Sequence, residues 1–224
     1  MMCPYSKIAL MIPMPDSLKE ILKDSRVKHF PRGQIIIFEG DKPIDVYLIK
    51  SGVIKLHDID SKGNEKILHL LKEPSLAPLA FYSGEDSVAM WFYTALTDCE
   101  LYVLDRKELG RTMEQRSEIS KYFMQQYSND VHEVFVRLSS LGKSDANYKI
   151  KVVLRFLLVC HGVKRRSGWW RIPFAVNHQL LSDMAGITRE STAIVMKNLE
   201  VKGFIRNPRQ TILELNREKI IRVK

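Results

Sequence analysis

The chain has 224 residues and a formal net charge of +9, enough length for two modest domains with separate cores and a charge that suits a polyanionic partner. Its longest apolar stretch, Val152 to Cys160, is too short to span a bilayer and contains Arg155, and Asp16, Lys19 and Glu20 interrupt the N-terminus, so neither a membrane span nor a secretory leader is expected. Cys3, Cys99 and Cys160 form an odd, scattered set that argues against a disulfide framework or a Cys-ligated metal and suits a reducing cytoplasm.

Residues 5 to 24 read as a short leading helix with Asp16 or Ser17 as N-cap. Short runs rich in Ile, Val, Leu and Tyr follow and predict strands at Val27–Phe30, Gln34–Phe38, Asp45–Lys50, Val53–Ile59, Lys66–Leu71, Val88–Leu96 and Glu100–Leu104. Turn residues separate them, as at Gly40-Asp41-Lys42-Pro43 and Asp60-Ser61-Lys62-Gly63-Asn64. Many short strands at close spacing predict a sandwich, jelly roll or barrel.

From Ser117 to Leu141 no Gly or Pro occurs, and Ile119, Phe123, Tyr127, Val131, Val134, Leu138 and Leu141 recur at intervals of three or four. That stripe predicts a long helix, either packed on its own domain or pairing with a second copy; the dimer seam is the favoured reading, because a helix between two compact domains has little else to bury against. Gly142-Lys143-Ser144 reads as a hinge. A further helix over 146–161 buries Ile150, Val153, Leu154, Leu157 and Leu158, and Trp169, Trp170, Ile172 and Phe174 read as strand residues completing the same small core. Lys164-Arg165-Arg166 reads as a loop.

Residues 177 to 206 carry the most information. Asn177 caps a helix from His178 to Ala185, Gly186 turns the chain, and Thr188 caps a second helix. Leu181, Ala185, Ile187, Thr192 and Val195 are spaced to fill the core between the two helices, and Arg189, Glu190, Ala193 and Lys197 face away from it. This is a helix-turn-helix pattern, although an ordinary αα-hairpin shares its outline. Two β-type runs around Asn207-Pro208 then read as a hairpin, placed where a wing would be. From Asp145 to Lys224 there are 16 Lys and Arg against 6 Asp and Glu, so the whole positive excess lies in this third. A basic domain beside a near-neutral one suits double-stranded DNA.

The order β-rich domain, long helix, winged helix-turn-helix, together with FPRGQIIIFEGDKPIDVYLIKSGVIKL (Phe30–Leu56), LTDCELYVLDRKEL (Leu96–Leu109) and ITRESTAIVMKNLE (Ile187–Glu200), resembles the Crp/Fnr family of bacterial transcription regulators. QLLSDMAGITREST is similar to the ArcR-type branch of low-GC Gram-positive bacteria. The resemblance implies an α+β chain with a β-roll sensor-like domain over 1–108, a dimerisation helix and hinge over 109–143 and a winged helix-turn-helix over 144–224. It implies base contacts from Arg189, Glu190 and Ala193, since an Arg fork suits guanine and Glu accepts from cytosine. Ile194 stands where the Crp branch has a further base-reading Arg. Asn177, His178, Thr188, Ser191, Lys197, Arg206 and Arg209 fall where phosphate contacts are expected.

The effector region departs from the family. Where cyclic-nucleotide-binding members carry a Gly-Glu-Leu turn and an Arg-Ser pair, this chain has Ala77-Pro78-Leu79 and Ala89-Met90-Trp91, with no Arg between Lys72 and Arg106. A buried phosphate without a cation is costly, so cyclic AMP is not expected to bind in the usual way, and the cysteines do not provide an iron–sulfur site. His29, His57 and His69 lie on predicted strands, where lone histidines are more often structural than haem ligands. Leu79, Phe81, Tyr82 and Trp91 are the candidate lining of an apolar effector pocket; no cofactor and no metal site is expected.

The expected function is a homodimeric, sequence-specific DNA-binding regulator with an unidentified small-molecule effector and, for an activator, RNA polymerase as a further partner. A cyclic-nucleotide-controlled regulator of the same architecture is the first alternative. A cupin-like barrel enzyme with a basic tail is the second, but the six histidines are scattered and no Gly-x-Ser-x-Gly, P-loop or HExxH pattern occurs.

Overall fold

The computed structural model describes residues 13–83, 87–165, 168–209 and 212–222, and within these the side chains of all but 82, 83 and 207–209. The chain forms two compact units, one over Met11–Val131 and the other including His132–Lys224.

The first unit begins with α1 (Asp16–Asp24) and continues through β1 (Val27–Phe30), β2 (Ile35–Ile37), β3 (Asp45–Ser51), β4 (Val53–Ile59), β5 (Glu65–Lys72), β6 (Leu76–Ala77), a 3-10 turn (Leu79–Ser83), β7 (Phe92–Ala95) and β8 (Cys99–Asp105). Helices α2 (Arg106–Gln115) and α3 (Ser117–Leu141) follow. The strands form two four-stranded antiparallel sheets, ordered β1-β8-β3-β6 and β2-β7-β4-β5.

Strand β3 explains the layering. Its Tyr47 and Ile49 point into a core shared with Ile54 and Leu56 of β4, Tyr93 of β7 and Leu101 of β8. Its Val46 and Leu48 point the other way, into a second core with Leu18 and Leu22 of α1, Leu109 of α2 and Ile119 and Phe123 of α3. A strand buried on both faces reads as an unbroken apolar run, and Val46-Tyr47-Leu48-Ile49 is one. At the β3–β4 turn Gly52 takes φ +94, and a Cβ there would stand 2.4 Å from the Asp98 carbonyl oxygen, so only glycine fits.

Several expectations are corrected here. Neither Asp16 nor Ser17 is an N-cap: the helix starts at Asp16 after Pro15, with no side-chain cap, and Asp16 pairs with Lys19 instead. The strand expected over Val88–Leu96 is confined to Phe92–Ala95; Ala89 exchanges backbone hydrogen bonds with Gly40 and Asp41 before the sheet begins. Helix α2, capped by the Asp105 carboxylate accepting from the Glu108 amide, was not expected.

The second unit packs α4 (Ala146–His161), α5 (His178–Ala185), α6 (Arg189–Val201) and the short α7 (Arg217–Ile221) with a sheet ordered β11-β12-β10-β9. Its strands are β9 (Val163–Lys164), β10 (Trp169–Arg171), β11 (Ile205–Arg209) and β12 (Ile212–Asn216). Helix α4 buries Ile150, Val153, Leu154, Leu157 and Leu158 as expected. Ile172 and Phe174 join that core just beyond β10, whereas Trp169 and Trp170 stay half-buried on the strand. Lys164 lies on an edge strand rather than in a loop; Arg166 lies outside the described residues. Asn207-Pro208 is not the hairpin turn. It sits within β11, where the register shifts by one residue between Arg206 and Arg209, and a bulge is where a strand tolerates proline. The turn itself lies outside the described residues.

Candidate nucleic-acid interface

The helix-turn-helix forms by local rules. Asn177 Oδ1 accepts from the Leu180 amide at 2.8 Å and starts α5. Gly186 ends it at φ 61 and ψ 47, a left-handed geometry that costs glycine little. The Thr188 hydroxyl accepts from the Ser191 amide at 3.2 Å and starts α6. Leu181, Ala185, Thr192 and Val195 are buried between the helices, with Ile187 half-buried beside them. The Thr192 hydroxyl donates to the Thr188 carbonyl at 3.0 Å, so its burial leaves no orphan.

Helix α6 buries Thr192, Val195, Met196 and Leu199 and turns Arg189, Glu190, Ile194 and Lys197 outward, with Ala193 half-exposed between them. Arg189 occupies the first turn, where the helix dipole disfavours a cation by about 0.3–1 kcal/mol. Helix stability does not explain its position. Ile194 is 65 % exposed at the centre of this face. A β-branched apolar side chain held in water suits contact with a thymine methyl.

Asn177 and His178 are exposed at the start of α5, and Thr188 and Ser191 meet at the start of α6, their hydroxyls 3.0 Å apart. Lys197 is exposed one turn beyond Ala193. In the wing, Arg206 stacks over Trp169 with 4.4 Å to the ring centroid, and its Nε donates to Glu214 at 2.5 Å. The guanidinium is thus held in one orientation. The side chain of Arg209 lies outside the described residues.

The expected seam on α3 is partly overturned. Ile119 and Phe123 are fully buried in their own unit's second core and have no surface to offer a second copy. Tyr127, Val131, Val134 and Leu141 are half-buried, and a Cβ at Gly186 would meet Leu141 Cδ2 at 3.7 Å. The exposed apolar residues are Met124, Phe135 and Leu138. With Ser128 and Val131 they follow a 4-3-4-3 spacing, which the wider 3-and-4 stripe hid.

The described side chains of the expected effector pocket divide between two cores. Leu79 and Trp91 pack against the first core, and the Leu79 amide donates to the Tyr93 hydroxyl at 2.9 Å, whose pKa burial pushes up to about 12. Phe81 packs against the second core beneath Arg106, 5.8 Å from guanidinium to ring centre. The side chain of Tyr82 lies outside the described residues. Arg106, which the sequence places beyond this region, reaches back into it: its guanidinium donates to Ser87 Oγ at 2.6 Å and to the Ala80 carbonyl at 3.4 Å. A cleft of 330 Å³ lies elsewhere in the unit, among Ile21, Arg26, Leu104, Asp105, Glu108 and Thr112. Cys99 and Cys160 are buried, and burial raises the Cys99 pKa. His57 and His69 are buried on β4 and β5, while His29 is exposed on β1, so the three do not converge.

A β-sandwich followed by a long helix and a basic winged helix-turn-helix defines a DNA-binding transcription regulator. The Cyclic nucleotide-binding domain family matches residues 27–116 and the Crp-like helix-turn-helix domain family matches residues 153–223. The chain carries the two domains of the Crp/Fnr family of transcription regulators, in that family's order. It is 26 % identical to the HTH-type transcriptional regulator ArcR of Staphylococcus haemolyticus, over 90 % of this chain and 88 % of that protein. It is 23 % identical to the global nitrogen regulator of Synechococcus elongatus, over 85 % of this chain and 86 % of that one. The cyclic nucleotide-binding domain containing protein of Listeria monocytogenes superposes with a TM-score of 0.77 at 15 % identity, over 91 % of this chain and 98 % of its own. Among the described residues no helix is long and apolar enough to cross a membrane.

Proposed function

We propose that the chain acts in the cytoplasm as a homodimer that reads a pseudo-palindromic operator through two successive major grooves, with α6 of each protomer lying in one groove. Arg189 reads guanine O6 and N7, Glu190 accepts from cytosine N4, and Ala193 with Ile194 packs on a thymine methyl. Asn177, His178, Thr188, Ser191, Lys197, Arg206 and Arg209 contact phosphates and set the register. The two copies pair along Met124, Val131, Phe135 and Leu138 of α3. The observation that carries this reading is the outward side of α6, which exposes both an Arg placed against the helix dipole and an Ile at mid-helix.

The test is selection of a duplex from a random pool, followed by footprinting. Two protected half-sites about 34 Å apart centre to centre support the reading. A single protected half-site, or protection confined to the minor groove, overturns it.

Control by a small molecule is supported by the family match over residues 27–116, but Ala77-Pro78-Leu79 and Ala89-Met90-Trp91 lack the usual phosphate-holding residues. The effector is therefore something other than cyclic AMP held in the usual manner, and calorimetry with cyclic AMP separates the two. Contact with RNA polymerase accompanies this reading if the protein activates.

A further inference from the structure

The last turns of α3 are inside out. Phe135 and Leu138 are 62 % and 55 % exposed, while Glu133, Arg137 and Ser140 are buried. An amphipathic helix normally buries its apolar face. The exposed pair is accounted for by a second copy. The buried charge needs its own reason, because a desolvated guanidinium is costly unless its surroundings hold it.

Two contacts place Arg137 against the helices of its own unit. Its Nη2 donates to the carbonyl of Met184, in the last turn of α5, at 3.4 Å. The carbonyls of a helix's last turn lack intrahelical partners and sit at the negative end of its dipole, so a cation is favoured there. The flat guanidinium also lies over the ring of Phe156 on α4, 5.5 Å from its centroid. Arg137 therefore ties three helices together, immediately before the Gly186 turn that sets the direction of α6.

We propose that Arg137 is a positioning residue that fixes the recognition helix at a set angle to the pairing face of α3, and so sets which half-site spacing the dimer accepts. The inference rests on the dimer reading above. Phe135 and Leu138 flank Arg137 on the same two turns, so the rotation that pairing imposes on α3 passes directly to the end of α5. Phosphate and base contacts then give each half-site its affinity, and Arg137 makes the two halves simultaneously reachable.

The experiment compares full-length wild type with Arg137→Met on three probes: the duplex selected by the wild type, a single half-site, and duplexes with one base pair added to or removed from the spacer. Sedimentation and thermal melting are read alongside. The variant is expected to stay dimeric and to bind the half-site within about twofold of wild type. It is expected to lose about tenfold on the full duplex, because linked binding depends on geometry. It should discriminate poorly among spacers, and Arg137→Lys should restore part of the preference. A dimeric Arg137→Met with the wild-type spacer preference overturns the proposal. So does an equal loss on half-site and full duplex that tracks lowered melting, the mark of a structural role alone. If Arg137→Met does not fold, Arg137→Gln, which lacks the charge and the reach of the guanidinium, carries the same comparison with the same outcomes. A wild type that sediments as a monomer sinks the seam and this inference with it, whereas a dimeric wild type with an indifferent variant sinks the role of Arg137 alone.

Discussion

Phe135 and Arg137 stand two positions apart on one helix with their exposures reversed: the phenyl ring is 62 % exposed and the guanidinium 6 %. The ring is accessible to a second chain and the cation is committed to its own. A charge at position 135 therefore tests pairing without disturbing the core. Phe135→Asp should sediment as a monomer and melt within a few degrees of wild type; a variant that stays dimeric removes Phe135 from the seam.

Phe123 makes the opposite case. It is fully buried with Leu18, Val46 and Leu104. Phe123→Ala should cost about 3–5 kcal/mol by chemical denaturation, through lost transfer energy and the cavity left behind. Where the variant is still folded it should associate as the wild type does. A change in dimerisation with unchanged stability would restore Phe123 to the seam.

The face of α6 divides into reading and anchoring residues. Arg189→Ala should lose roughly 1–3 kcal/mol of discrimination at one base pair. An equal weakening on every sequence would make Arg189 a phosphate contact. Lys197→Ala should weaken all sequences alike and flatten the salt slope by about one unit. Binding across a range of salt concentrations decides between the two outcomes.

Gly52→Ala should be strongly destabilising. The new Cβ would lie 2.4 Å from the Asp98 carbonyl oxygen and 2.7 Å from Cys99 Sγ, on a backbone at φ +94. Strain and overlap together predict a loss of at least about 2 kcal/mol, read from the shift in melting temperature. Gly63→Ala, at φ +80 with open space around the position, should cost less.

His57 is buried against Phe92, with its Nε2 2.9 Å from the Thr94 hydroxyl. Burial lowers its pKa from the ordinary 6.5, Glu65 only partly opposing this. The unfolded chain then binds the proton more readily than the folded one. Its contribution to stability is full above about pH 6.5 and falls away as the pH drops towards the depressed value. Melting curves between pH 7.5 and about pH 5 should show this loss, and His57→Gln should remove part of the slope. An unchanged slope in the variant assigns the acid sensitivity to other groups.

The helix-turn-helix was legible because each of its parts is local. Asn177, Gly186 and Thr188 act within three or four residues of themselves, so their chemistry fixes the helix ends wherever the segment lies. The turn at Asp60–Asn64 was legible for the same reason: the Asp60 carboxylate accepts from the Lys62 and Asn64 amides. Asn207-Pro208 misled because the same pair that favours a turn also suits a strand bulge, and only pairing with β12 distinguishes them.

The long helix shows the limit most plainly. Apolar spacing gave its span from Ser117 to Leu141. It could not give the side that meets the core, because apolar residues lie on more than one side. Near the start, the sheet behind Val46 and Leu48 takes Ile119 and Phe123. Near the end, α4 and α5 take Arg137, leaving Phe135 and Leu138 outside.

By itself, then, the order of residues determined most of the elements, the caps of α5 and α6, the basic charge of the C-terminal third and the residues α6 turns away from its core. These follow from backbone stereochemistry and periodicity, which act over a turn or two. Only the tertiary structure decided which face of α3 is free, that Arg106 reaches Ser87, and that Arg137 closes the end of α5. Each depends on residues tens of positions apart meeting in one place, where burial and charge, rather than spacing, settle which side chain turns inward.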